Sequence, residues 1–196
     1  TFRRVRLILR RNFIKFLFVT LPAYQLLGVS SVLGNSNLTD DRNYFVVLIK
    51  TLRALKKPVC EKVADKLEKQ VQNFSFYDLH IRNAMLNGSD AKKISEALKW
   101  FHQSYKIRLM SFSISYNPSI GQIGAVSILT SLPKDIEVLG MVACNLSDDT
   151  GQHLIEYMQK AKNLSMVCVE ENNFSKNMKD KILNLRQQKT GCTIIV

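Results

Sequence analysis

The segments LMSFSISYNPSIGQIGAVSILTSL (residues 109–132) and IEVLGMVACNLSDDTGQHLIEYM (136–158) carry one pattern twice. In the first, Leu109, Phe112 and Ile114 precede Asn117, and Ile120 follows after one inserted residue. In the second, Ile136, Leu139, Met141, Cys144 and Leu146 take the same places. Working outward, Leu164, Val167, Val169, Asn172 and Phe174 repeat it again. Upstream, Phe76, Leu79, Ile81, Ala84 and Leu86 form a weaker copy, and downstream Cys192 and Ile195 begin another. The starts are spaced by 33, 27, 28 and 28 residues. A fixed period of this length is the signature of a repeat array.

Each copy opens with alternating apolar residues and continues with apolar residues at helical spacing. Ile94, Ile128, Leu154 and Ile182 correspond, as do Leu98, Leu132 and Met158, with Leu185 slightly out of step. A short strand feeding a helix, repeated in series, predicts a right-handed βα solenoid with a parallel sheet. On these residues, with the N-x-x-I-G-x-x-G-A run from Asn117 to Ala125, residues 76–196 resemble a leucine-rich-repeat protein of the ribonuclease-inhibitor-like type. The resemblance implies binding of a partner protein by the strand face, across immune receptors, inhibitors and bacterial effectors alike.

Residues 1–75 do not fit the template and are expected to be a basic α-helical cap over the open end of the array. A helix is predicted after Thr39 or Asp40 as N-cap, with Tyr44, Val47, Leu48, Thr51, Leu52 and Leu55 at helical spacing and Lys56 and Lys57 in its last turn. Pro58 opens the next, with Val59, Val63, Leu67 and Val71 as its apolar stripe and Cys60 beside that stripe.

Charge divides the chain in the same way. The net +12 lies wholly in residues 1–108, while residues 109–196 hold eight basic and eight acidic side chains. The first 39 residues have no acidic side chain, and Arg3, Arg4, Arg6, Arg10, Arg11 and Lys15 form a basic patch before the apolar run Phe13–Leu33. Residues 1–33 read as two short packed helices, a membrane anchor or an organellar targeting segment. The first residue is Thr1, so targeting information is expected to be incomplete. A basic region of this kind also fits an adaptor holding an anionic membrane surface or nucleic acid. Four cysteines without short spacings point to an intracellular, reducing compartment.

Cys144, nine residues before His153 with Asn145, Asp148 and Asp149 between them, has the raw material of a thiol nucleophile and its base, or of half a metal site. The repeat register reads it otherwise. Cys144 shares its offset with Asn117 and Asn172, where an inward polar group bonds the backbone of neighbouring turns. No metal-ligand spacing, phosphate loop or Ser/His/Asp set stands out, and neither a cofactor nor a small-molecule substrate is expected. The function expected is non-catalytic protein binding through the outward strand residues: Asp78, His80, Arg82, Ser111, Ser113, Ser115, Tyr116, Cys168 and Glu170. Cys168, aimed at that face, is expected to react with a thiol probe well before Cys144. The terminal CTIIV reads as an apolar edge strand that is short and protected by the preceding helix, pairs with another copy or a partner strand, or is followed by further chain.

Overall fold

The computed structural model describes residues 44–70 and 75–196. Its elements are α1 (Val46–Ala54), α2 (Pro58–Glu68), β1 (Phe76–His80), α3 (Gly88–Ser104), β2 (Arg108–Ser113) and α4 (Gly121–Ser131). There follow β3 (Val138–Gly140), α5 (Asp148–Lys160), β4 (Met166–Cys168), α6 (Lys176–Asn184), a 3-10 turn (Leu185–Gln187) and β5 (Thr193–Ile195). All five strands run parallel in one sheet, in the order of the sequence. This is an α/β fold compatible with a βα solenoid.

The sheet register aligns the apolar positions. Leu79, Phe112, Leu139, Val167 and Ile194 stand side by side across the five strands, and all five are fully buried. Ile81, Ile114, Met141 and Val169 form a second buried row, and Ile94, Ile128, Leu154 and Ile182 meet the rows from the helices. Each such side chain contributes about 1.5–3 kcal/mol by leaving water. The helices come close because small residues face one another. A Cβ on Gly124 in α4 would lie 2.9 Å from the Cα of Gly88 at the start of α3.

Two edges of the expected register shift by one residue. At the first strand, Tyr77 pairs with Leu109 and is buried, while Phe76 is exposed. The irregularity between Tyr77 and Asp78 restores the alignment one residue later. Tyr77 takes the inner place because its ring fits between Phe45 (5.0 Å) and Phe101 (5.3 Å). At the last strand, Ile194 rather than Ile195 continues the core row, because Thr193 pairs with Met166.

Helix α1 packs on α2 and α3, and Phe45, Leu48, Ile49 and Leu52 belong to the same core cluster as the sheet. The described residues belong to one compact unit. The helix starts later than its expected caps; Thr39 and Asp40 lie outside the described residues, and Phe45 is the residue that precedes it. Tyr44 is exposed, and Arg53 rather than Lys56 or Lys57 is the base in the last turn. In α2, begun by Pro58 as expected, Leu67 of the expected stripe is buried together with Cys60 and Ala64, Val59 and Val63 pack partly buried against the core, and Val71 lies outside the described residues. The small Cys60 and Ala64 side chains permit the closer approach. Lys57 ties this region to the first strand turn, donating from Nζ to the Met85 carbonyl (2.7 Å) and pairing with Asp90 (3.4 Å).

The expectations for Arg3, Arg4, Arg6, Arg10, Arg11, Lys15 and the apolar run at 13–33 fall outside the described residues. Among the described residues, no helix is long and apolar enough to cross a membrane.

Candidate functional site

The site is built where each strand turns toward its helix. Asn117, fully buried, accepts at Oδ1 from the backbone N–H groups of Ala84 (2.9 Å) and Leu86 (3.0 Å). Its amide nitrogen donates to the carbonyls of Ile81 (2.9 Å) and Ile114 (2.7 Å). Asn172 repeats this two turns on, accepting from Cys144 and Leu146 and donating to Met141 and Val169. Cys144 stands in the same place on the turn between, where its thiol donates to the Ile114 (3.2 Å) and Val142 (3.4 Å) carbonyls. The Asn117 and Asn172 side chains thereby satisfy backbone groups of two neighbouring turns, whereas the carbonyls that the Cys144 thiol meets already accept from the Asn117 amide and the Tyr116 N–H.

That bonding holds a strained backbone in place. Asn83, Tyr116, Ala143 and Glu171, one on each turn, have φ between 50° and 64°. Left-handed backbone costs about 1–2 kcal/mol for a side chain larger than glycine, and Asn alone of these adopts it readily. The four lie side by side, as the Asn83, Tyr116 and Ala143 N–H groups donate to Ser115, Val142 and Glu170 of the next turn. With Pro118, Asn145 and Asn173 they line a groove of about 420 Å³. Arg82 lies over the Tyr116 ring, 5.4 Å from its centre, and Asn173 donates to the Asn145 side chain.

Behind this groove lies the strand face. The register groups its residues as their offsets require: Asp78 with Ser111, Val138 and Met166, and His80 with Ser113, Gly140 and Cys168. Asp78, His80, Arg82 and Ser111 are partly exposed, and Tyr116 is exposed. Ser113, Ser115, Cys168 and Glu170, expected to face a partner, are buried. Small neighbours close the sheet surface here. The Ser113 hydroxyl donates to that of Ser115 (3.2 Å), which accepts the Val142 N–H (3.1 Å). A Cβ on Gly140 would lie 2.8 Å from the Ser113 hydroxyl.

Cys168 does not offer the reactive thiol expected of it. It is 2% exposed between Gly140 and Ile195, and burial, with Glu170 nearby, pushes its thiol up to about 12. Burial raises Cys144 and Cys60 to about 11. Thiols so held stay protonated and are poor nucleophiles. His153 does not approach Cys144; its Nδ1 lies 3.9 Å from Glu156 on the same helix.

One Ser–His contact does exist. His80 Nε2 is 2.7 Å from Ser111 Oγ. Burial and the charges of Lys66 and Arg82 lower the imidazole to about 4, so at neutral pH it is uncharged and a weak base. The pair fixes the two side chains on the strand face. Burial also holds Asp78 above the usual carboxylate range. Among the described residues no group of three or more His, Cys, Asp or Glu side chains is placed to hold a metal ion.

Pro118, Asn145 and Asn173 are groove residues that the offsets left unnamed. Each follows directly on the inward Asn117, Cys144 or Asn172, and that position alone turns it outward. No protein-family model matches the chain, and no curated protein matches it.

Proposed function

We propose that the chain is a non-catalytic leucine-rich-repeat module, of the ribonuclease-inhibitor-like type, that binds a partner polypeptide along the strand-end groove. The observation that carries this reading is the set of four left-handed backbone positions held side by side by the Asn117, Cys144 and Asn172 turns. A groove whose backbone is fixed in advance orders little on binding, which favours affinity. Four adjacent turns at about 4.8 Å per strand span roughly 14 Å. That suits four or five residues of an extended segment.

The lining supports polypeptide recognition. Asn83, Asn145 and Asn173 offer amides that pair with main-chain groups, Tyr116 offers an exposed ring, and Asp78, His80, Arg82 and Ser111 continue the polar surface along the strands. The leucine-rich reading is supported by the aligned apolar rows and the recurrent inward Asn. The N-terminal helices act as the cap, Phe45 of α1 covering Tyr77 and Phe101 with ring contacts of 5.0 and 5.2 Å.

The test is affinity capture with the intact chain against a Tyr116→Ala, Asn173→Arg variant. Both positions are exposed, so the variant is expected to fold. Loss of the captured protein, with unchanged circular dichroism, is the expected result. Equal capture by both chains would place binding elsewhere.

A further inference from the structure

At the C-terminal end of α3, three aromatic rings break the surface together. Trp100, 43% exposed, meets Tyr105 edge-on at 5.9 Å, and Tyr44, 40% exposed, meets the same ring at 5.2 Å. Tyr105 is itself packed on the buried Phe101 (5.4 Å), so the cluster is fixed to the core rather than loose on the surface. Val46 at the start of α1 is 39% exposed, two residues beyond Tyr44. Lysines fringe the group. Lys99 precedes Trp100, Lys106 follows Tyr105, and Lys50 stands one turn from Val46 on the same side of α1; all three are exposed. The exposed Glu96, one turn before Trp100, is the acidic neighbour on that helix face.

We infer that this surface seats the protein on an anionic membrane, with Trp100, Tyr44 and Val46 entering the headgroup region and Lys50, Lys99 and Lys106 held at the lipid charges. Amphipathic rings with an aliphatic neighbour and long cationic side chains around them make an interfacial membrane contact. The charge is complementary, since the whole net +12 of the chain lies in residues 1–108. A single-stranded nucleic acid is the other anionic occupant, and the oligonucleotide arm of the test distinguishes it. The contact is peripheral and lies apart from the strand-end groove, so vesicle binding and partner capture fail separately.

Trp100 is the only tryptophan of the chain, and its emission reports on this surface alone. The intact protein is titrated with phosphatidylserine/phosphatidylcholine vesicles, with pure phosphatidylcholine vesicles, and with a single-stranded oligonucleotide. Expected are a blue shift of the emission and quenching by brominated acyl chains with the anionic vesicles, and neither with phosphatidylcholine. Lys99→Gln and Lys106→Gln are each expected to weaken vesicle binding about fivefold, the contribution of one lysine near an anionic surface. Co-sedimentation with vesicles while the Trp100 emission stays unchanged would overturn the inference, because other residues would then hold the membrane. So would a response to the oligonucleotide in place of vesicles, or no vesicle binding at all.

Discussion

The ends of the strands and their middles use the same few residue types to opposite effect. At the ends, Asn117, Cys144 and Asn172 turn inward and bond the backbone of two turns at once. In the middles, Ser113, Gly140 and Cys168, which pair side by side across the strands, are buried. A polar side chain is a bridge where the backbone has unmet donors beside it, and a lid where its neighbours are small enough to close over it. The consequence is that the groove, not the centre of the sheet, is the open surface at the strand ends.

The comparison breaks first at Asn117. Asn117→Ala leaves the buried N–H groups of Ala84 and Leu86 without acceptors, at about 1–3 kcal/mol for each unmet group. A loss of about 4 kcal/mol is expected in urea unfolding, against about 1 kcal/mol for Cys144→Ala, whose thiol bonds are weak. Equal losses at the two positions would mean that the inward amide is not a bridge. In the strand middle, Gly140→Val forces a methyl group against Ser113, and overpacking of this kind costs about 2 kcal/mol. A neutral result in the same assay would show that the sheet surface is open after all.

A smaller effect comes from pH. His80 and His102 are both lowered to about 4 by burial, whereas an unfolded histidine titrates near 6.5. The unfolded chain therefore binds more protons below pH 6.5, and the stability that the two neutral imidazoles carry is present above that pH and lost as it falls toward 4. After allowance for their partial exposure, each is expected to lose about 1 kcal/mol between pH 7 and pH 5. Asp78, raised by burial, works in the opposite direction as its carboxylate protonates. Urea midpoints of the wild type and of the His80→Gln, His102→Gln variant decide the matter; the wild type alone should show the histidine-dependent fall. The smallest effect is chemical. Cys168 and Cys144 are both expected to stay unlabelled by a thiol probe in the native state, as mass spectrometry of the modified peptides will show. Rapid labelling of Cys168 would restore an open strand face.

Much of the fold was legible because the apolar pattern recurs in the sequence and constrains many residues at once. The apolar rows from Leu79 to Val167 and from Ile94 to Ile182 stand at the expected offsets, and the strand residues between them pair from strand to strand as those offsets require. Direction is not exposure, however, and exposure depends on the size of what lies beside a residue. Gly140 and the paired Ser113 and Ser115 hydroxyls decided the fate of the strand middle, and no single offset reveals such a pairing. The slips at Phe76 and Ile195 have a similar origin. An irregularity such as that between Tyr77 and Asp78 is set by the packing of one ring against α1 and α3, which the repeat pattern does not contain. Pro118, Asn145 and Asn173 show the reverse, since their outward direction follows from the inward residue before each.

The central claim is that a partner lies in the strand-end groove. It is tested most directly by placing a photoreactive phenylalanine analogue at Tyr116, and separately at the exposed Ile123 on α4, and irradiating each chain in an extract of its source cells. One discrete crosslinked protein from position 116, absent from position 123 and suppressed by Asn173→Arg, is the expected result. Crosslinks from position 123 but not from position 116 would contradict the claim and move recognition to the helices.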